Sequence, residues 1–202
     1  MSTHREIARS LIERDGRTFA AQAGITLRDK PSPLYRLLVL STLLSARIGS
    51  EIAVAAAREL SKAGLRTPRR MSEASWQQRV DALGRGHYRR YDERTTTQLG
   101  DGAQLLLERY RGDLRRLREA SAGAEDIGRR LQEFPGIGPT GAAIFCREAQ
   151  GVWPELVPSM DQKVLEGARE SGLPDDPDRL SKLVDAEKLP ALAAACVRAA
   201  LG

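Results

Sequence analysis

The stretch LQEFPGIGPTGAAIF, residues 131–145, sets two glycines one residue apart behind a proline, between segments that both read as helical. Glycine admits close backbone approaches that a Cβ forbids, and proline fixes φ while removing a donor. The turn has two readings. It joins two packed helices tightly, or it turns the amides of Gly136, Ile137 and Gly138 outward beside the N-terminus of a helix starting at Thr140, where a phosphate is attracted. PGIG alone does not choose between them, so the rest of the chain must.

The surroundings are helical. YRLLVLSTLLSA, residues 35–46, is apolar nearly all round, as a helix at the centre of a core is. SEIAVAAARELSKA, residues 50–63, follows and is stopped by Gly64. Helical spacing continues over 75–83, over 95–111 with Leu99, Leu105, Leu106, Leu107 and Tyr110, and around Leu114 and Leu117. Further helices are expected over 125–134, 140–150, 161–170, 178–184 and 189–201. Ser2 or Thr3 caps a first amphipathic helix reaching Glu13, and 24–33, with two prolines, reads as a linker.

Composition agrees. In 202 residues, 41% are apolar but only 4% aromatic, and runs of strand formers are scarce, so the expected class is all-α. The net charge of +5 suits a polyanionic partner. Arginines outnumber lysines throughout, too evenly to mark a site. No leader-like segment and no apolar run of 18 residues occurs, so a cytoplasmic protein without membrane spans is expected, nucleoid-associated if bacterial. Cys146 and Cys196 are the only cysteines, too few for the four thiolates of an iron–sulfur cluster or a structural zinc. No repeat, βαβ alternation or Walker-type loop appears.

The order of motifs decides the reading of the turn. FPGIGPTGAA is followed by an apolar helix, then by the loop GVWPELVPSM, then by Asp161, and upstream stands LLSARIGSEIAVAAARELSKAG. This ordered set, over about residues 33–168, resembles the helix-hairpin-helix/Gly-Pro-Asp superfamily of DNA glycosylases, of the endonuclease III kind. The resemblance implies a two-lobed helical fold. Residues 32–152 would form a six-helix-barrel-like domain ending in the hairpin, residues 1–31 with 153–202 the second lobe, and the active site would lie in the cleft. It also implies that backbone at Gly136, Ile137, Gly138 and Thr140 holds a DNA phosphate, with a Na+ or K+ ion at the backbone of Phe134 and Gly136, and that Asp161 acts at a flipped nucleotide. A fixed carboxylate suits that chemistry, because breaking an N-glycosidic bond builds positive charge on the sugar. Independently, Asp161 in SMDQKV suits a helix N-cap, and both roles are compatible.

Departures from the family pattern carry as much information. Bifunctional members place a Schiff-base lysine just after the hairpin, where this chain has Gly138-Pro139-Thr140. The expectation is a monofunctional glycosylase that releases a base from duplex DNA, with weak or absent strand cleavage. Lys163 is the alternative amine, although a residue two positions from Asp161 on a helix faces another way, and solvated charge is its plain reading. The four-cysteine cluster is missing, so no cofactor is expected, and Leu192, Cys196 and Val197 read as core, with Cys146 buried rather than reactive.

Two further stretches are placed to touch DNA. Arg47 follows LLSA, where family members enter the gap left by the flipped base; a surface salt bridge is its other reading. In GRGHYRRY, residues 84–91, His87 or Tyr88 would be the wedge and Arg85, Arg89 and Arg90 the phosphate contacts, against solvated charge. Tyr35, Trp76, Trp153 and Met160 are candidates for stacking on an extruded base or for core. The substrate lesion is not written in the sequence. The expected partner is damaged or mispaired duplex DNA, bound by a monomer. Rival readings are a DNA-binding module without chemistry and a protein–protein scaffold.

Overall fold

In a computed structural model, which describes residues 3–202, the chain is helical with no strand among the described residues. The helices are α1 His4–Asp15, α2 Phe19–Gln22, α3 Pro31–Leu44, α4 Ser50–Lys62, α5 Pro68–Glu73, α6 Trp76–Arg85, α7 Asp92–Tyr110, α8 Leu114–Glu119, α9 Ala124–Leu131, α10 Pro139–Ala149, α11 Gln162–Glu170, α12 Pro177–Ser181 and α13 Leu189–Ala199. They divide between two compact units, one of residues up to Gln22 with Cys146–Gly202, the other of Ala23–Phe145.

In the Ala23–Phe145 unit, α3 is the central element, packed against α4, α7 and α8. Leu34, Leu37, Leu40 and Leu43 are fully buried along it, each stabilising the unit by about 1.5–3 kcal/mol. The prolines of the expected linker instead open this helix. Pro31 stands at its start, where a missing N–H leaves no helical bond unmade. α6 begins with a capping box, Ser75 Oγ accepting from Gln78 N–H and Gln78 Oε1 from Ser75 N–H. It ends at Gly86, where a Cβ would come within 2.5 Å of the α4 backbone at Ala56. α7 starts at Asp92, three residues before the expected position.

In the other unit α1 and α11 both pack on α13. Gly167 is the contact point of the α11–α13 pair, since a Cβ there would lie 1.7 Å from the Cys196 carbonyl oxygen. Leu192, Cys196 and Val197 are buried as expected. Burial pushes the Cys196 thiol up to about 12, and it does the same to Cys146, itself half-buried. Thr3 caps α1, with Glu6 closing the box; Ser2, the other expected cap, lies outside the described residues. The four-residue α2 escaped the sequence reading. Its first amides are capped across the unit by Glu148, whose Oε1 and Oε2 accept from Phe19 N–H at 3.2 Å and Ala20 N–H at 2.9 Å.

Candidate active site and nucleic-acid interface

The hairpin leaves α9 through Phe134, whose ring stacks on Tyr110 of α7 at 6.4 Å. The two glycines then differ in why they are glycine. Gly136 has φ +83°, and a Cβ on it would meet Gln98 Oε1 at 2.7 Å and Thr42 Cγ2 at 3.0 Å, so the fold itself requires glycine there. Gly138 is exposed, with no atom within 4 Å of its would-be Cβ. Its N–H has no hydrogen bond among the described residues. Nothing inside the protein demands glycine at 138, whereas a ligand approaching from outside would.

One expected amide is not available. Ile137 N–H donates to Phe134 O at 3.0 Å and closes the turn, and the Ile137 side chain is buried. The outward donors are therefore Gly138 and, following Pro139 in the unsatisfied first turn of α10, Thr140, which is exposed. Ser45 Oγ, 2.8 Å from Thr42 O, also reaches Gly136 O at 3.2 Å and ties the LLSA turn to the hairpin. Phe134 O and Gly136 O, the oxygens expected at a monovalent cation, each accept one of these bonds and keep a second lone pair, which fits a hard cation's need for oxygen ligands.

The same unit gathers the other expected DNA stretches around one cavity of about 290 Å³, bordered by Arg47, Tyr88 and Gly136 together with Tyr91, Arg94 and Gln98. Arg47 is exposed and has no ion-pair partner among the described residues. His87 is exposed with φ 62°, a conformation rare for a residue with a Cβ. Tyr88 is a correction to the expected wedge. It is fully buried with its hydroxyl 3.2 Å from Thr95 Oγ1, so of the pair only His87 can protrude. Arg85 pairs with Glu59 at 3.4 Å, Arg90 lies over the Tyr91 ring at 5.3 Å, and Arg89 is exposed. Arg94, Tyr91 and Gln98 were not singled out from sequence, because on their own segments they read as solvated polar positions.

Asp161 belongs to the other unit and is the N-cap of α11. Its Oδ1 accepts from Val164 N–H at 3.0 Å, and its Oδ2 accepts from Arg147 at 2.6 Å. The Arg147 side chain is 7% exposed and that of Asp161 20%, so the carboxylate keeps a solvent-facing edge while both oxygens are fixed. The preceding loop is clamped by buried Gln150, which accepts from Ser159 N–H at 3.0 Å and donates to Ser159 O at 3.1 Å. Lys163 is paired with Glu166 at 3.1 Å. Tyr35 and Trp153 are buried outright and Met160 nearly so, leaving Trp76 as the exposed aromatic among the stacking candidates. Among the described residues no group of His, Cys, Asp and Glu is arranged to hold a metal, and no helix is long and apolar enough to cross a membrane.

No family model and no curated protein matches the sequence. Solved structures do match in fold. A trapped endonuclease III–DNA covalent intermediate, an estranged-adenine complex, is 18% identical with a TM-score of 0.52, covering 98% of this chain and 85% of that one. A non-covalent endonuclease III–DNA complex is 16% identical with a TM-score of 0.54 over the same shares. H. pylori 3-methyladenine DNA glycosylase (MagIII) bound to 1,N6-ethenoadenine is 13% identical with a TM-score of 0.58, covering 98% of this chain and 96% of that one. The chain shares their all-helical fold over nearly its whole length.

Proposed function

We propose that this chain is a monofunctional DNA glycosylase of base-excision repair, hydrolysing the N-glycosidic bond of a damaged or mispaired base displaced from duplex DNA. The observation that carries the reading is Asp161, a carboxylate immobilised at both oxygens yet open to solvent on one edge, in a chain with the fold of endonuclease III and MagIII. As the C1′–N bond breaks, its electron pair leaves with the base and positive charge grows on the sugar. A preorganised carboxylate stabilises that charge without reorganising, and it orients the water whose oxygen forms the new bond to C1′. Water yields its proton, the base acquires one, and the product is an abasic site.

Strand cleavage through a covalent imine requires an amine at the sugar. Position 140 is threonine, and the Lys163 ammonium faces Glu166. Backbone donors at Gly138 and Thr140, with Arg47, His87 and Arg89, would hold the duplex.

The test is a set of duplexes carrying uracil, alkylated purines, oxidised pyrimidines or 8-oxoguanine, incubated with the protein and scored with and without hot alkali. Alkali-dependent cutting that disappears in Asp161→Asn, with duplex binding kept, is the expected result. One observation favours a second reading, a DNA-binding protein without chemistry: the cap and the ion pair account for Asp161 structurally. That reading holds if no duplex is cut.

A further inference from the structure

The two residues that form the Asp161 ion pair are also joined through their backbones. Gln150 follows α10 directly, and its side chain is buried where an apolar residue would be the common choice. Its Nε2 donates to Arg147 O at 2.9 Å and to Ser159 O at 3.1 Å, and its Oε1 accepts from Ser159 N–H at 3.0 Å. Two carbonyls and one N–H fix which end of the amide faces which, and only a side chain that both donates and accepts fills the place. One residue it grips carries the guanidinium, and the other stands two positions before the carboxylate. Arg147 Nη1 in turn donates to Asp161 Oδ2 at 2.6 Å, so Gln150, Arg147, Asp161 and Ser159 close a ring of contacts inside one compact unit. The middle of the loop 151–160 has anchors of its own. Trp153 and Leu156 are buried, and Ser159 Oγ donates to Leu156 O at 2.5 Å. Removing the Gln150 amide therefore loosens the loop at its Asp161 end while these anchors stay.

We infer that Gln150 is a positioning residue for base release, setting the Asp161 carboxylate against Arg147 so that its loss slows glycosidic cleavage without weakening the hold on duplex DNA. The inference rests on the glycosylase reading and deepens it. Gln150 is buried and acts on the sugar only through the pair it holds in register. A carboxylate stabilises growing positive charge to the extent that its place is fixed beforehand, and a displacement of about 1 Å costs roughly 100-fold in rate. The backbone donors proposed for a DNA phosphate, Gly138 and Thr140, belong to the other compact unit and keep their setting when the amide is removed.

The experiment uses two variants of the full chain. Gln150→Met keeps the length and bulk of the side chain and removes all three hydrogen bonds. Gln150→Asn keeps the amide on a stem one methylene shorter, and it carries the same comparison if Gln150→Met melts without a cooperative transition. On a lesion duplex that wild type cuts, single-turnover base release at saturating protein is expected to fall about 10- to 100-fold, with affinity for undamaged duplex kept within about twofold. In a double-mutant cycle with Arg147→Met, the two losses are expected to combine to less than their product, since both act through the setting of one carboxylate. Hydrogen exchange at the Arg147 guanidinium, followed by 15N NMR, reads the pair directly and is expected to quicken in Gln150→Met. Unchanged base release, equal losses of rate and affinity, or fully multiplicative losses overturn the inference. Unchanged exchange overturns it whether or not any lesion is cut. Wild type that cuts no lesion, with exchange quickened in Gln150→Met, overturns the glycosylase reading and leaves the positioning of Asp161 by Gln150 standing.

Discussion

The two hairpin glycines make opposite predictions for the same substitution. In Gly136→Ala the new methyl is forced into a left-handed backbone at φ +83° and against Gln98 Oε1 and Thr42 Cγ2 at 2.7 and 3.0 Å. The conformational cost is about 1–2 kcal/mol, and the crowding adds about 1–3 kcal/mol, reduced because the Gln98 side chain can swing away. The expected loss is then about 2–4 kcal/mol, roughly 5–15 °C in melting temperature for a chain of this size. Gly138→Ala meets no atom within 4 Å and no left-handed φ, so its stability should stay within about 0.5 kcal/mol of wild type. If a DNA phosphate sits on the Gly138 amide, however, the methyl disturbs a charge-assisted hydrogen bond and weakens duplex binding by about 10-fold or more. Thermal melts and fluorescence anisotropy with a labelled duplex, at matched salt, read the two effects separately. The reasoning is refuted if Gly138→Ala binds duplex as wild type does, or if it destabilises the protein as much as Gly136→Ala.

Removing the guanidinium in Arg147→Met leaves Asp161 held only by its cap. Single-turnover base release should fall further than duplex affinity, with about 1–3 kcal/mol of stability lost, less than for a fully buried pair because Asp161 stays partly hydrated, and Arg147→Lys should restore part of both. Unchanged turnover in Arg147→Met would show that the cap alone suffices. Burial pushes the Glu148 carboxyl above its ordinary 4.5, despite the two amides it caps and the nearby Arg147 and Arg198. The native state then binds the proton more tightly than the unfolded chain, so this contribution is greatest below pH of about 4.5 and lost as pH rises through the raised value. Urea melts from about pH 7 down to 4.5 should show wild type gaining stability relative to Glu148→Gln, and a flat or opposite difference would refute the assignment.

Much of the fold could be read from local pattern because its helices carry their own signals. The largely apolar run of α3, the Ser75 capping box and the glycine stop after α4 each act within a few residues. The order of hairpin, loop and Asp161 could likewise be read along the chain. What local pattern misses is what distant residues impose. α2 has four residues and takes its cap from Glu148, 128 positions away from Ala20. Pro31 resembled a linker because proline marks both loops and helix starts. Tyr88 lies in a basic, surface-like run, yet its ring is buried and its hydroxyl meets Thr95 on the next helix. The cavity needs α3, α7 and the hairpin together, and no single segment announces it.

Arg147 and Glu148 interrupt an otherwise apolar helix, Gln150 follows directly on it, and all three are buried, a placement that charged and polar residues tolerate only when paired. Each has a separate task within its unit. Arg147 fixes Asp161, Gln150 clamps the loop two residues before it, and Glu148 caps the N-terminal turn at Phe19. Two of these tasks meet at Phe19, whose N–H donates to Glu148 and whose ring centre lies 5.9 Å from the Arg147 guanidinium and 4.7 Å from that of Arg198. Phe19 of the N-terminal segment therefore lies against the arginine that holds the candidate carboxylate, while Asp161 itself stays partly exposed. On the glycosylase reading such an arrangement serves the carboxylate: the neighbouring guanidinium would offset its repulsion of phosphate, while the cap and the ion pair keep both oxygens fixed.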